Sequence, residues 1–399
     1  MKKRGYLRIN KMRVCFLTTS YPLYPGDYSG IFIFELAKNL LFQDVEVEVV
    51  APHDNGCKTH EVTSGITVYR FRYFYPTSLE QLAYRGGIVP HLRKSFIAKL
   101  QLPFFLLSFF KKTLSIARRC DVIHVHWIQN GLIALLCKIF YKRPVVLTVH
   151  GTDINELSKG GLMLKINHFI LKRVDRIIAV SKDVEEKIHN LDIPPSKIIN
   201  IPNGIPNQEI FFNLPDKASI SYSLLFVGRL VPLKNLELLL KAVAHLKDKL
   251  PKINLIIVGD GPLYAKLKSY AEELQILDYV RFEGGQPREK IYNYFQNADI
   301  FILPSATEGF SIVILEALAA GKPVISTKVG IAPEIIKHKE NGILIEAGDL
   351  NALEKYIYLL LTDNNLMRKI SVNARKTIGI KYNWQEIAGK TKGIYQQLV

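Results

Sequence analysis

The strongest constraint in this chain is an alternation that runs through it twice. Short runs rich in Val, Ile and Phe, each about as long as one strand, alternate with longer segments of helical period. Apolar strands without an in-out alternation are buried on both faces, which belongs to parallel sheets covered by helices. In the first half the expected strands are Arg13 to Thr19, Val45 to Ala51, Thr67 to Tyr73, Val122 to His126, Val145 to Val149 and Arg176 to Val180. In the second they are Ser223 to Val227, Asn254 to Val258, Tyr279 to Phe282, Ile300 to Leu303, Pro323 to Ser326 and Gly342 to Ile345. Helices are expected at Ile31 to Phe42, Leu162 to Val174 and Leu236 to Leu246, where Asn235 is a candidate cap. The fold class is therefore α/β, with two doubly wound units in tandem. Ile201-Pro202-Asn203-Gly204-Ile205-Pro206-Asn207 collects turn formers and the run to Ile220 lacks a period, so the linker is placed there. The units are residues 1–205 and 206–380.

With 399 residues, each unit is long enough for its own core. The longest apolar stretch, Ser95 to Phe110, is interrupted by Lys99, Gln101 and Pro103, so no membrane-crossing helix is expected. The charged start Met1-Lys2-Lys3-Arg4 leads into Asn10, Lys11 and Arg13 without an apolar core, so no secretory leader is expected. The cysteines at 15, 57, 120 and 137 form no CxxC pair and read as reduced thiols in a cytoplasmic setting.

The net charge of +17 is unevenly placed: 29 basic and 16 acidic residues precede Asn203. From Gln81 to Cys120 there is no acidic residue, and basic side chains alternate with Phe96, Phe104, Phe105, Phe109 and Phe110. Two readings stand side by side for this segment. One is an interfacial helix on an anionic membrane; the other is a buried helical hairpin with solvated basic ends, broken at Pro103. No zinc finger or ribonucleoprotein motif supports nucleic acid as a partner.

The chemistry gathers at strand ends. After the strand ending at Leu303 comes Glu308-Gly309-Phe310-Ser311, then a helix with Ser311 as its cap, Glu316 inside it and Gly321 as its stop. A helix N-terminus beyond the carboxyl ends of parallel strands attracts phosphate, and two flanking carboxylates can hold sugar-like hydroxyls. Gly228-Arg229 with Lys234 offers a fork and a point charge for a diphosphate. Gly259-Asp260-Gly261 allows close main-chain approach. In the first half, Ser29-Gly30 precedes a helix and His150 ends a strand. His124 and His126 share one strand face, but no third ligand stands at recognisable spacing, so no metal is assigned.

In this order, the segments closely resemble the family 4 glycosyltransferases, retaining enzymes of the GT-B fold. The likeness runs from Met12 to the carboxyl end and is most specific at Glu308-Gly309-Phe310-Ser311 and Glu316, an E-x7-E element. Gly228-Arg229, Lys234, Pro202-Asn203-Gly204 and His150-Gly151 support it, while Tyr21-Pro22 and Tyr28 to Phe32 look like members that build envelope glycans. On that likeness Met12 is the natural start, behind an appended basic tail. The resemblance implies two Rossmann-like domains facing a cleft, the first binding acceptor and the second a nucleotide-sugar donor, with residues 381–399 returning to the first.

It further implies that Arg229 and Lys234 hold the diphosphate, Glu316 the ribose and Glu308 the transferred sugar. Phe310, Ser311 and Gly30 would approach the distal phosphate, His150 the sugar, and Glu283-Gly284-Gly285-Gln286 the base. The implied reaction moves a hexose-type sugar to a glycan or lipid-linked saccharide without a metal or other cofactor. Two departures stand out: Ser29-Gly30 where many members have two glycines, and Gly330-Ile331-Ala332-Pro333-Glu334 where they have paired glycines before Pro-Glu. A non-catalytic nucleotide-sugar binder, a sugar-nucleotide epimerase and a membrane or RNA scaffold are the alternatives left open.

Overall fold

The computed structural model describes residues 11–24, 26–84, 87–155, 161–205, 211 and 222–399. The basic tail at 1–10, Arg85 and the linker residues 206–210 and 212–221 lie outside the described residues. The chain divides into two compact units. Unit 1 holds residues up to Val180, Glu185–Ile201 and Trp384–Val399; unit 2 holds Ser181–Val184 and Pro202–Asn383.

Unit 1 carries an eight-stranded sheet: β1 (Met12–Leu17), β2 (Val45–Pro52), β3 (His60–Thr63), β4 (Ile66–Phe71), β5 (Val122–His126), β6 (Val145–Val149), β7 (Arg176–Ala179) and β8 (Ile198–Asn200). Their order across the sheet is β3-β4-β2-β1-β5-β6-β7-β8, parallel except for the β3-β4 pair. Its helices are α1 (Ile31–Leu41), α2 (Ile88–Lys94), α3 (Phe96–Ala117), α4 (Gly131–Tyr141), α5 (Thr152–Asn155), α6 (Leu162–Arg173), α7 (Lys182–His189, starting in unit 2) and the C-terminal helix Trp384–Gln396. Burial of the Val, Ile and Phe of β1, β2 and β5 against α1 and the C-terminal helix makes one continuous apolar cluster.

The basic segment departs from the expected hairpin. α3 runs unbroken through Pro103, with Ser95 capping it by accepting from the Ala98 N–H at 3.2 Å. Ala98, Gln101, Phe105 and Phe109 are buried, and Phe105 and Phe109 lie against Phe71 at 5.1 and 4.7 Å. This one-sided docking on the sheet holds the helix together although Pro103 supplies no N–H.

Unit 2 repeats the scheme with β9 (Ser223–Val227), β10 (Asn254–Val258), β11 (Val280–Gly284), β12 (Ile300–Leu303), β13 (Val324–Thr327) and β14 (Ile343–Ile345). The order β11-β10-β9-β12-β13-β14 is parallel throughout. Its principal helices are α8 (Leu236–Leu246), α9 (Tyr264–Glu273), α10 (Arg288–Asn297) and α11 (Ile312–Ala319), followed by α12 (Leu350–Thr362) and α13 (Asn364–Thr377). The stripe Leu236, Leu239, Leu240, Val243 and Leu246 of α8 is buried. Asn235 sits before α8 at φ 50° but makes no side-chain cap, so the expected capping bond is absent.

Candidate functional site

In a parallel sheet all carboxyl ends fall on one edge, so the loops after β9, β10, β11 and β12 are neighbours. They carry Gly228-Arg229, Gly259-Asp260-Gly261, Gly284-Gly285 and Glu308 to Ser311. Main-chain bonds knit them together: the Gly228 N–H donates to the Val258 carbonyl at 2.9 Å, Gly259 to Gly284 at 2.8 Å, Leu230 to Asp260 at 2.9 Å. The reason for glycine at 259 and 261 differs from the expected ligand approach. A Cβ on Gly259 would stand 1.9 Å from the Gly228 carbonyl oxygen, and one on Gly261 2.5 Å from that of Leu230. The space is taken by the neighbouring turn. Gly284, at φ 66°, is different: a Cβ there would meet nothing within 4 Å, and the space beside it is open.

Glu308 is the hub of the loop after β12. Lys234 Nζ donates to its Oε1 at 2.6 Å, and Ser305 Oγ donates to the same oxygen at 2.5 Å. Thr327 of β13 fixes Ser305 by donating to its carbonyl at 2.6 Å. Gly330 completes the enclosure, because a Cβ there would lie 2.8 Å from that of Glu308. The single glycine retained at that departure from the family pattern is thus the one this packing requires.

Glu316, buried in α11, is paired with Arg288 of α10. Their side chains are only 9% and 15% exposed, and such a pair must recover in attraction what desolvation of both charges costs. Sequence reasoning missed Arg288, which stands 28 positions away. Only its place at the start of the helix after Gly284-Gly285 hinted at it. Arg229 differs from both paired cations: it is exposed, with no ion pair among the described residues.

Ser311 occupies the cap position of α11 at φ 75° and ψ 70°, a left-handed conformation that side chains with a Cβ adopt at a cost. Its side chain makes no cap bond and its Oγ is buried without a partner among the described residues, contrary to the expected capping role. Phe310 is buried, and its carbonyl accepts from the Ile331 N–H at 3.0 Å. The first-turn N–H groups of α11 have no acceptor within the helix, so its positive dipole end lies beside Gly309 and Phe310. At the end of β11, Glu283 accepts from Arg281 at 2.5 Å and from Tyr294 Oη at 3.0 Å. Gln286 Nε2 donates to the Glu283 carbonyl at 2.6 Å, which fixes this turn.

In unit 1, His150 follows β6 and is buried against Phe32 and Trp127, with ring centroids 4.7 and 5.1 Å apart. Its Nε2 lies 3.2 Å from Nδ1 of His126, and the His126 ring stacks on that of His124 at 4.5 Å. Both nitrogens of His124 are engaged, by Tyr395 Oη of the C-terminal helix at 2.5 Å and by Thr148 Oγ1 at 2.7 Å. The two histidines of β5 are thus committed to this row and not to a metal. No group of three or more His, Cys, Asp or Glu able to hold a metal occurs among the described residues.

Burial disfavours the imidazolium and pushes His124 and His150 down to about 3, and His126 well below its usual range, so the row is neutral. Asp153 ties the row's end down, accepting from the N–H groups of Ile128 at 3.0 Å and His150 at 3.1 Å. Gly30, at φ 64° before α1, sits tight against the main chain, since a Cβ would lie 2.2 Å from the Ser20 carbonyl oxygen. The neighbouring Ser29 is half-buried, its N–H donating to Asp27 Oδ1 at 2.9 Å.

Comparison with known proteins matches residues 29–209 to the Glycosyltransferase Family 4 model and 208–377 to the model for Glycosyl transferases group 1. N-acetyl-alpha-D-glucosaminyl L-malate synthase of Bacillus anthracis is 28% identical over 96% of both chains. A D-inositol 3-phosphate glycosyltransferase of Streptomyces scabiei is 26% identical over 98% of this chain and 93% of its own. Among solved structures, sucrose-phosphate synthase from Thermosynechococcus elongatus superposes with a TM-score of 0.81 at 23% identity, over 97% of this chain and 99% of that one. Anabaena HepE in complex with UDP and glucose gives 0.76 at 22%, over 97% and 100%. Two parallel-sheet units, a strand-end loop holding Glu308 against Lys234, and models that together run from residue 29 to 377 lead to one assignment: the chain is a glycosyltransferase of family 4, with the GT-B fold.

Proposed function

We propose that this glycosyltransferase is a retaining, metal-independent enzyme that moves a hexose-type sugar from a nucleotide-sugar, with UDP or GDP as the carrier, to a hydroxyl of a glycan or lipid-linked saccharide. The reading rests chiefly on one observation: two carboxylates, Glu308 and Glu316, are held by Lys234 and Arg288 around the start of α11, with Arg229 exposed nearby. Unit 2 takes the donor. Arg229, Lys234 and the α11 dipole meet the diphosphate and the charge that grows on it as the sugar leaves, the task a metal performs elsewhere. Glu316 receives ribose hydroxyls and Glu308 those of the sugar; Gly228, Gly259, Gly261, Gly284, Gly309, Phe310 and Ser311 form the main-chain wall. Unit 1 takes the acceptor, with His150, Gly30 and Ser29 on its side of the chemistry.

The leaving phosphate accepts the acceptor's proton on the face from which it departs, so the anomeric configuration is kept and the protein supplies position and charge. HepE, solved with UDP and glucose, and S. aureus TarM, solved with UDP and saccharides, support the donor and acceptor classes. A cytoplasmic setting is supported by four unpaired cysteines, three of them buried and Cys57 half-buried.

The test is calorimetry of UDP, GDP and ADP sugars against the protein and Glu316→Ala, with a chelator arm and released nucleotide assayed in parallel. One nucleotide class binds, the variant loses it, chelator changes nothing, and the product keeps the donor's anomeric configuration by NMR. A folded protein that binds none of the three overturns the donor site; an inverted anomer overturns retention.

A further inference from the structure

Right-handed crossovers place α3, α4 and α6 on the same face of the unit 1 sheet, because each joins strands that advance in the same direction. These three helices contain no Asp or Glu. They also carry more than half of the large apolar side chains exposed among the described residues.

On α3, Phe96, Leu100, Phe104 and Leu107 fall on the side opposite buried Phe105 and Phe109. On α4, Ile139 and Phe140 are 71% and 62% exposed, and Phe140 meets Phe110 of α3 at 6.1 Å, so the patch passes from one helix to the next. Exposed Lys99, Lys111, Lys165 and Lys172 stand among these side chains. An apolar face this large is uncommon on a protein that meets only water.

We infer that this face of unit 1 docks on the surface of an anionic phospholipid bilayer, its apolar side chains entering the headgroup boundary and its lysines meeting lipid phosphates. Charge selects this occupant. A second copy would set lysine against lysine, whereas anionic headgroups neutralise all of them at once. The protein lies on the bilayer and does not cross it: no described helix is long and apolar enough to span, and α3 is fastened to the sheet by Phe105, Phe109 and a bond from Gln101 Nε2 to the Leu79 carbonyl at 2.6 Å. The inference concerns the surface alone and stands whichever donor the enzyme uses.

The test is flotation of the full chain with vesicles of phosphatidylcholine, alone or mixed with phosphatidylglycerol. The protein floats with mixed vesicles and stays behind with the neutral ones. Leu100→Ser/Phe104→Ser/Phe140→Ser weakens binding at least about a hundredfold. Lys99→Gln/Lys111→Gln/Lys165→Gln weakens it by about fivefold per charge. Phe42→Ser, at an exposed phenylalanine after α1, binds as the parent does.

Because a triple variant can lose its fold, a fluorophore on Leu107→Cys in a Cys57→Ser background gives a second readout. Its emission shifts to the blue on mixed vesicles, and that of the same label on Phe42→Cys does not. Binding that ignores the apolar triple change in a folded protein overturns the proposal in favour of simple electrostatic adsorption. Absent vesicle binding, with a dimer in ultracentrifugation that the triple change dissolves, overturns it in favour of self-association.

Discussion

The histidine row of unit 1 and the carboxylates at α11 in unit 2 are buried to similar extents, yet they meet the cost of burial in opposite ways. His124, His126 and His150 give up charge: desolvation keeps them neutral, and they bond to a tyrosine, a threonine and one another. Glu308 and Glu316 stand beside Lys234 and Arg288 and are matched rather than neutralised. A site meant to meet phosphate must keep its charge, while one that meets sugar hydroxyls does well with neutral hydrogen-bonding groups. The two halves therefore differ in what disturbs them.

Acid should cause the largest disturbance, and in unit 1. His124 and His150 titrate near 3 in the fold, below the ordinary value of 6.5. Between those values the unfolded chain binds protons that the fold refuses, so stability is full above pH 6.5 and falls as pH drops through the window. Each such histidine contributes up to about 1.4 kcal/mol per pH unit. Urea midpoints measured from about pH 7 to about pH 4.5 should fall steadily, and His124→Gln should flatten the slope by one proton. A midpoint indifferent to pH would mean that the row carries charge inside the fold, and the contrast between the units would be lost.

The next effect separates the two cations proposed for the diphosphate. Arg229 is exposed, with no ion pair among the described residues, so Arg229→Ala should lower kcat by about 10²–10³-fold and leave the melting temperature unchanged. Lys234→Ala should cost similar activity and also stability, since Glu308 loses the cation that offsets its burial while the bond from Ser305 stays. Equal melting temperatures for the two variants would show that Glu308 does not depend on Lys234 for its place.

Glu316→Gln should follow, destabilising the protein by about 2–3 kcal/mol because Arg288 is left charged and mostly buried. Adding Arg288→Met should return part of that stability without returning donor binding. Additive effects in this double-mutant cycle would remove the pair from the account of unit 2.

How much of the molecule is legible in its sequence follows from the range of the interactions. Strands β5, β6, β9, β10 and β12 fall where the Val, Ile and Phe runs place them, since burial on both faces leaves a purely local mark. β3 leaves none: His60-Glu61-Val62-Thr63 is an exposed edge with one apolar residue, and β8 is only three residues long. Glu308 and Glu316 are legible as an element of fixed spacing, but their partners are not. Lys234 lies 74 positions from Glu308, and the pairing exists only once β9 and β12 lie side by side. The continuity of α3 through Pro103 likewise depends on Phe71 and the sheet beneath.

Ser311 provides the smallest effect and the finest discrimination. Its left-handed backbone costs about 1 kcal/mol for a residue with a Cβ, and its buried hydroxyl has no partner among the described residues. Ser311→Gly relieves both, so the protein should gain about 1 kcal/mol, read as a rise of a few degrees in melting temperature. Ser311→Ala removes the hydroxyl alone and leaves the strained backbone, so comparing the two variants separates the terms. If the hydroxyl is held ready for the donor's distal phosphate, both variants should raise KM for the donor several-fold while one of them grows more stable. Strain at the start of α11 would then serve the donor site, as charge pairing does deeper in the same helix. Unchanged KM in both variants, with the stability gain present in Ser311→Gly, would assign the strain to the packing of Gly330 and Ile331 against Phe310 and leave the donor to the main chain.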